Sequence, residues 1–435
     1  MLRRMAPLPA VATALAGLLL GSAGWAAGSV AQPTVVSEAA VAYTPHLMAD
    51  AAVSHPLALA IENSRQTMYV GGKFQSVENA ERTETYLRQN IMAFDANTGL
   101  LSPTFAPDLD GTVFAILGIG DSVYVGGEFR TVDGVARPRL VKLDATTGAR
   151  DPSFNPTAIT GGRVSEIRLV NGRLLVGGMF EDKLLALDPL TGADTGYINV
   201  DIAGQLRLTT TKTEVYRFAV NPRGTRLVAV GNFISVDGEI RRRGFMLNLG
   251  ATGAALNPWY YPPLNKKCAS NAPGRQAYLE DVDYSPDGSY FVFASTGFVP
   301  RSTEEIGTAL CDAAARFEAG TAHPVAPTWI NYTGGDTLHA VAVTGAAVYV
   351  QGHNRWLDNP YGRDSEGLGA VSRRGIGAID PVSGMALAWN PVKPAAQGGQ
   401  DFLATPEGLW VVSDSTKFNG TYHRGIAFAP LPSQG

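Results

Sequence analysis

One sequence unit recurs along this chain, and its recurrence limits the folds that the chain can adopt. The clearest copy, YVGGEFRTVDGVARPRLVKLDATTGARDPSFNP, runs from Tyr124 to Pro156. β-Branched and aromatic residues in Ser122–Val125 predict a strand. Gly126 and Gly127 then lack side chains, which indicates that another part of the protein comes close there, and Phe129 follows as a packing residue.

The rest of the unit predicts further strands. Leu140–Leu143 has strand-forming residues, and Asp144–Gly148 is typical of a turn in which Asp accepts backbone amides and Gly takes positive φ. Ser153–Pro156 predicts another short strand, and Val113–Leu117 predicts one ahead of the unit. Four antiparallel strands in about fifty residues are typical of one blade of a β-propeller.

Copies of this unit follow one another along the chain. Copies of the VGGEF strand end at Phe74, Phe129, Phe180, Phe233, Phe298, Trp356 and Phe418. Each is followed by a copy of the next strand, so the sequence predicts an all-β, seven-bladed β-propeller. Stacked repeats share a continuous core, so we expect a single domain over residues 32–435 despite the length of the chain.

The ring of blades needs a way to close. The last copy has no fourth strand after it, and an unpaired edge would remain exposed. Ala42–Pro45, ahead of the first blade, matches Ser153–Pro156 in register, with Tyr43 in place of Phe154. We therefore expect the mature amino-terminal strand to pair with the last blade and close the propeller.

Residues 1–31 have the pattern of a secretory signal peptide. Arg3 and Arg4 give a positive start, Val11–Leu20 is apolar, and Ser29-Val30-Ala31 offers small residues for cleavage. The mature chain would begin near Gln32 and have no membrane span, and the protein would be secreted or lie at the cell surface. An uncleaved membrane anchor is the alternative.

The repeat resembles a known family. YVGGxF, a polar loop, an LAxLD-like strand, a TG turn and FNP are similar to the delta-60 repeat β-propellers of secreted bacterial proteins. The likeness to the propellers of fungal cortical polarity-marker proteins is weaker. The resemblance spans residues 40–430 and implies the fold and an extracellular setting. It implies no common reaction, so no catalytic residue is carried over.

The insertions between the repeated strands indicate a binding face. Residues 75–90, 262–280, 299–310 and 357–373 are longer than the corresponding connections elsewhere, and strand order puts all four on one face of a propeller. In repeat proteins the face that collects insertions is often the binding face. Cys268 and Cys311, the two cysteines of the chain, lie there and predict a disulfide in an exported protein.

Aromatic and polar residues in these insertions are candidate ligand contacts, because aromatic faces beside Arg and Asn stack on sugars or hold peptides. The candidates are Tyr260, Tyr261, Asn354, Arg355, Tyr361 and Arg363. Trp259 and Trp356 occupy repeat packing positions, which favours a structural role for both. The net charge of −4 argues against a nucleic-acid partner.

No recognisable catalytic, metal or cofactor motif accompanies the repeat. Asp281 and Asp283 form a DxD pair that can perform acid–base chemistry, but turn acids in solvent are the commoner case. We therefore favour a monomeric, non-enzymatic binding module for a glycan or protein. The alternative is an extracytoplasmic hydrolase or lyase, for which Asp281, Asp283 and His353 should converge in one cleft.

Overall fold

The computed structural model describes residues 30–206, 212–269, 277–320, 324–394 and 398–433. The predicted signal peptide, residues 1–31, lies almost entirely outside this part of the chain. The described residues are all-β apart from two short 3-10 helices, Pro262–Asn265 and Thr303–Glu305. Among them, no helix is long and apolar enough to cross a membrane.

Seven main antiparallel sheets of three or four strands follow one another along the described residues, besides the small ladders described below. Their first strands are Leu57–Ser64, Val113–Ile119, Val164–Val170, Glu214–Val220, Leu279–Tyr284, Leu338–Val343 and Gly399–Thr405. Their second strands are Thr67–Lys73, Ser122–Gly127, Arg173–Gly178, Arg226–Asn232, Tyr290–Ser295, Val348–Gly352 and Gly408–Ser413. Their third strands are Ile91–Asp95, Leu140–Asp144, Leu184–Leu187, Gly244–Leu249, Ala313–Glu318, Ile376–Ile379 and Ile426–Pro430.

Small ladders form where the second strand leads to the third. They comprise His46–Met48 with Ser76–Glu78 and Thr85–Leu87; Thr131–Val132 with Val135–Ala136; Ile202–Ala203 with Ser235–Val236 and Glu239–Ile240; Trp356–Leu357 with Val371–Ser372; and Lys417–Phe418 with Thr421–Tyr422. A fourth strand completes only the fourth and fifth of the seven described sheets, as Ala254–Leu256 and Trp329–Tyr332.

The predicted short strand at Ser153–Pro156 is wrong. Asp151 Oδ1 accepts the amide of Ser153 at 2.9 Å and its hydroxyl at 2.6 Å, so the chain turns instead of continuing along the sheet. A single bridge between Leu143 and Arg150 remains from the expected pairing. The amide of Asn155 then donates to Thr191 O in the next sheet, so this segment links neighbouring sheets.

Adjacent sheets pack face to face around their second strands. In the VGG motif, a Cβ on Gly126 would lie 2.4 Å from Cγ1 of Val164 in the next sheet, and a Cβ on Gly71 would lie 2.3 Å from Cγ1 of Val113. The close approach that the sequence indicated at these glycines is therefore confirmed. Phe129, the packing residue of the motif, is fully buried.

The first and seventh sheets also pack against each other. Leu57–Ser64 contacts Gly399–Thr405, as each first strand contacts the first strand of the following sheet. Phe94 and Trp410 belong to one buried cluster, with their ring centroids 5.7 Å apart. The last of the described sheets therefore lies beside the first.

The amino-terminal segment lies along the outer side of the seventh sheet. The amide of Ser37 donates to Pro430 O at 2.8 Å, and the Thr44 hydroxyl donates to Ile426 O at 3.3 Å. Ala42–Pro45 itself is a turn and coil, not the predicted strand, and its turn at Ala42 and Tyr43 matches the turn at Pro152 and Ser153 after the second sheet.

Candidate functional site

The insertions of three neighbouring sheets form one surface, which we call the loop surface: residues 257–269, 299–312, 332–337 and 357–370. A disulfide joins Cys268 to Cys311, with their Cα atoms 5.7 Å apart, so the predicted pairing is confirmed. It ties the connection that follows the fourth sheet to the insertion of the fifth.

Two of the predicted ligand contacts are inside this surface. Tyr261 is only 3% exposed, packs on Phe317 and donates its hydroxyl to Thr308 O at 2.7 Å, and burial raises its pKa to about 12. Asn354 is 1% exposed and donates its side-chain amide to Arg373 O. Both side chains hold loops together and are not accessible to a ligand, which corrects the expectation for Tyr261 and Asn354.

Buried polar groups fix the remaining loops. The Tyr332 hydroxyl accepts the amide of Gly307 at 2.9 Å and donates to Ala309 O at 2.9 Å, so the fifth-sheet insertion is fastened to the strand below it. Asn359 is fully buried and bonds Thr333 O, Ser365 O and the amide of Gly367. The sixth-sheet insertion is therefore wrapped around one asparagine side chain.

Arg355 is held by carboxylates rather than free for a ligand. Its Nε lies 3.0 Å from Asp336 Oδ2 and its Nη2 lies 2.7 Å from Asp336 Oδ1, while Nη2 also bonds Asp364. The guanidinium lies over the Trp356 ring at 4.4 Å. The hydrogen bonds to both carboxylates raise the pKa of Arg355, so the group stays charged and fixes the loop around it.

Other candidates are accessible. Tyr361 is 59% exposed, Arg363 is exposed, and the neighbouring Leu368, which sequence reasoning passed over, is 85% exposed. Tyr260 is half-buried and donates its hydroxyl to Asn265 Oδ1 at 2.7 Å. Trp259 is fully buried against Phe291 and Phe317, so its predicted packing role is confirmed. Tyr361 and Leu368 are therefore the side chains that the sixth-sheet insertion presents most openly.

A second candidate site lies between the first strands of the seven sheets, all of which line a cavity of about 490 Å³ that we call the channel cavity. The register of each first strand shifts at a bulge near its start. The residue that follows the bulge therefore has the same position along the strand in every sheet. The residues that follow the bulges are Ala60, Ala115, Glu166, Arg217, Asp281, Ala340 and Asp401.

Most charged groups of the channel cavity have partners in the fold. Glu166 lies 3.0 Å from Arg168 and 3.6 Å from Arg217. Three aspartates each accept a backbone amide from the first strand of the next sheet. These pairs are Asp281 with Val341 at 2.9 Å, Asp283 with Val343 at 2.8 Å, and Asp401 with Ile61 at 3.2 Å. The DxD acids therefore link sheets and are not solvated turn acids.

Glu62 is another buried carboxylate of the channel cavity. It is 5% exposed, and its Oε1 accepts the amide of Asn63 at 2.8 Å. Burial raises the pKa of Glu62 to about 7, against the attraction of Arg168, and burial raises the pKa of Asp401 to about 6. Removal from water makes both carboxylates harder to ionise.

His353 does not join the DxD acids. Its ring packs edge-on against His339 at 5.6 Å, and His339 lines a separate cavity of about 300 Å³ together with Glu280 and Tyr216. Asp281 and Asp283 line the channel cavity instead. The three residues that the enzyme hypothesis required therefore do not line one cavity. Within the described part of the chain, no group of three or more His, Cys, Asp and Glu side chains is arranged to hold a metal ion.

One known family matches part of the chain. The family described as "domain of unknown function (DUF5122) beta-propeller" matches residues 121–154, the clearest copy of the repeat. The match supports a β-propeller fold. No curated protein matches the chain.

Solved structures resemble the chain at low sequence identity. Hydrazine synthase of Kuenenia stuttgartiensis is 14% identical over 82% of this chain and 92% of its own, with a TM-score of 0.49. The computationally designed Ika8 protein is 11% identical over 89% of this chain and 98% of its own, with a TM-score of 0.44.

Proposed function

We propose that the chain is a secreted, seven-bladed β-propeller that binds a protein partner through its loop surface. The contact between the first and seventh sheets supports a closed ring. The delta-60 repeat resemblance and the signal-like residues 1–31 support an exported protein whose mature chain begins near Gln32, and we propose that it is a monomer. The disulfide is consistent with an oxidising compartment.

The amino-terminal segment supports closure because it contacts the first sheet in the way that the segment around Pro156 contacts the third sheet. A Cβ on Gly99 would lie 1.7 Å from Tyr43 O, just as a Cβ on Gly192 would lie 2.9 Å from the nitrogen of Pro156. Gly192 belongs to the TG turn of the third sheet and contacts the segment that leaves the second sheet, whereas Gly99 belongs to the TG turn of the first sheet and contacts the amino-terminal segment. This likeness supports a ring in which the segment around Tyr43 takes the place of a segment leaving the seventh sheet.

The binding proposal rests mainly on how the loops of the loop surface are held in one conformation. The disulfide, Tyr261, Tyr332 and Asn359 fasten the insertions of three sheets, while Leu368 keeps 85% of its surface in contact with water. Holding loops in one conformation before binding lowers the entropy lost on association. Binding residues are disproportionately found on loops that a rigid scaffold positions, and Leu368 is an exposed apolar side chain on such a loop.

A protein fits this surface better than a glycan. Sugar rings stack on open aromatic faces, but of the three predicted tyrosines only Tyr361 is largely exposed. Leu368 offers aliphatic area and no hydrogen bond, as the core of a protein interface does.

Binding of the labelled protein to the surface of the cell that produces it tests this proposal. Protease treatment of the cells should abolish binding, whereas periodate oxidation of their glycans should leave it unchanged. Binding that survives protease and disappears with periodate would assign a glycan partner instead. Binding to neither cells nor a glycan array would count against a recognition role for the loop surface.

A further inference from the structure

The channel cavity has more carboxylates than cations, and they lie at two levels. Glu166, Asp281 and Asp401 follow the bulges of their strands, while Glu62 and Asp283 lie two residues further along theirs. Two residues on a strand span about 7 Å, so the two levels are separated by roughly that distance. Arg168 and Arg217 are the cations among the lining residues.

Glu62 is the group whose bonding is incomplete. Within the part of the chain that the structure describes, it forms no ion pair, and its Oε2 has no hydrogen-bond partner. Its side chain is 95% removed from water and lines the channel cavity. The charged groups that act on it are Arg168, which attracts it, and Asp401 and Glu166, which repel it. A cation that pairs with a carboxylate buried in this way stabilises its ionised form.

The lining argues for an organic cation. Three of the other acids already use an oxygen to accept backbone amides, and among the described residues no group of three acids is arranged to ligate a metal ion. A hard metal ion would need several oxygens on one centre. Ile61, Phe114 and Val282 also line the cavity and offer apolar surface for methylene groups.

We propose that the channel cavity binds a linear aliphatic diamine. One ammonium group pairs with Glu62, and the other pairs with Asp281 and Asp401 one level away. A cavity of about 490 Å³ is within the usual range for small-molecule sites, roughly 300–1,000 Å³. Pro222 and Pro286 follow first strands and also line the cavity, so it lies toward the end with the tight turns, away from the loop surface.

Calorimetric titration of the whole protein with putrescine, at constant ionic strength and pH 8, tests the proposal. We expect saturable binding that Glu62→Gln weakens about tenfold or more, because a charge-assisted hydrogen bond is lost. Gln has nearly the same shape and removes a buried charge, so the variant should fold. Glu128→Gln, which changes an exposed glutamate outside the cavity, should bind as the unchanged protein does.

Further titrations distinguish a diamine site from a site for a single charge and from a metal site. Binding should be weaker at pH 5.5, where Glu62 holds a proton, and butylamine should bind more weakly than putrescine because it carries one charge. Equal affinity of the Glu62→Gln and Glu128→Gln variants would overturn the proposal. Competition by calcium at equal concentration would do so too, since it would identify a metal site.

Discussion

The amide of Val41 donates a hydrogen bond to the carbonyl oxygen of Phe428, 2.9 Å away, and so joins the amino-terminal segment to the outer strand of the seventh sheet. The same segment continues to the first sheet, where Leu47 pairs with Val77 in a small ladder. It therefore bridges the two sheets between which a propeller ring would close.

Gly99→Ala tests whether this bridge stabilises the fold. Gly99 has φ of +71°, and an added Cβ would lie 1.7 Å from Tyr43 O. Gly120→Ala is the matched control, because Gly120 has φ of +58° with no atom within 4 Å of the added Cβ. Placing Ala at positive φ should lower the free energy of unfolding of both variants by about 1 kcal/mol. Gly99→Ala should lose clearly more, as measured by urea unfolding, because its Cβ also clashes with Tyr43 O. Equal losses would mean that the contact between Tyr43 and the turn does not stabilise the fold.

The disulfide should stabilise the whole domain as well as the loop surface. Replacing Cys268 and Cys311 together by Ala opens a loop with a sequence separation of 43, for which chain entropy predicts a loss of about 4 kcal/mol. Engineered and natural cases give about 2–4 kcal/mol. Urea unfolding of the variant and of the dithiothreitol-treated protein should agree. No change in unfolding midpoint would show that the bridged loops are uncoupled from the sheets.

Glu62 should make stability depend on pH. Its pKa is about 7 in the folded protein and near 4.5 when unfolded, so the folded state holds the proton more tightly. The stabilisation is complete below the unfolded pKa and is lost as pH rises through about 7. The difference in free energy of unfolding between Glu62→Gln and the unchanged protein should therefore shift in favour of the variant by about 1–3 kcal/mol between pH 5 and pH 8. Comparing each variant with the unchanged protein at both pH values cancels other titrations, and Glu128→Gln should show no such gain.

Asn359→Ala should loosen the sixth-sheet insertion locally. Three hydrogen bonds of a fully buried side chain are lost, so the segment that carries Arg363 should open more often. Trypsin cleavage after Arg363 should be faster, with a smaller effect on the melting temperature. Asn97→Ala, in an exposed turn, is the control. Cleavage rates that match in the two variants would show that Asn359 does not hold the loop.

Local pattern accounts for what could be predicted from the sequence. The YVGGxF motif predicted the second strands because alternation and glycine contacts are encoded within a few residues, and two cysteines allow only one intramolecular bridge. Ser153–Pro156 was predicted as a further short strand of the repeated unit, but Asp151 turns the chain there by accepting the amide and the hydroxyl of Ser153.

The channel cavity was missed because its residues are far apart in sequence. Glu62, Arg168 and Asp283 follow their bulges by the same number of residues, so an alignment of the first strands on the repeat would have put them in one column. Burial of Tyr261 and Asn354 had no such signal, since it depends on how separate insertions meet. Their polar atoms bind other loops, which composition does not reveal.

The loop surface is tested most directly by a matched pair of double variants. Tyr361→Ser/Leu368→Ser removes its exposed side chains, and Leu190→Ser/Val382→Ser removes side chains that are 67% and 80% exposed in turns outside it. Binding to protein on the surface of the producing cell is measured for both, after equal melting temperatures are established. We predict that the first variant loses binding at least tenfold while the second retains it. Equal binding by the two variants would contradict a recognition role for the loop surface.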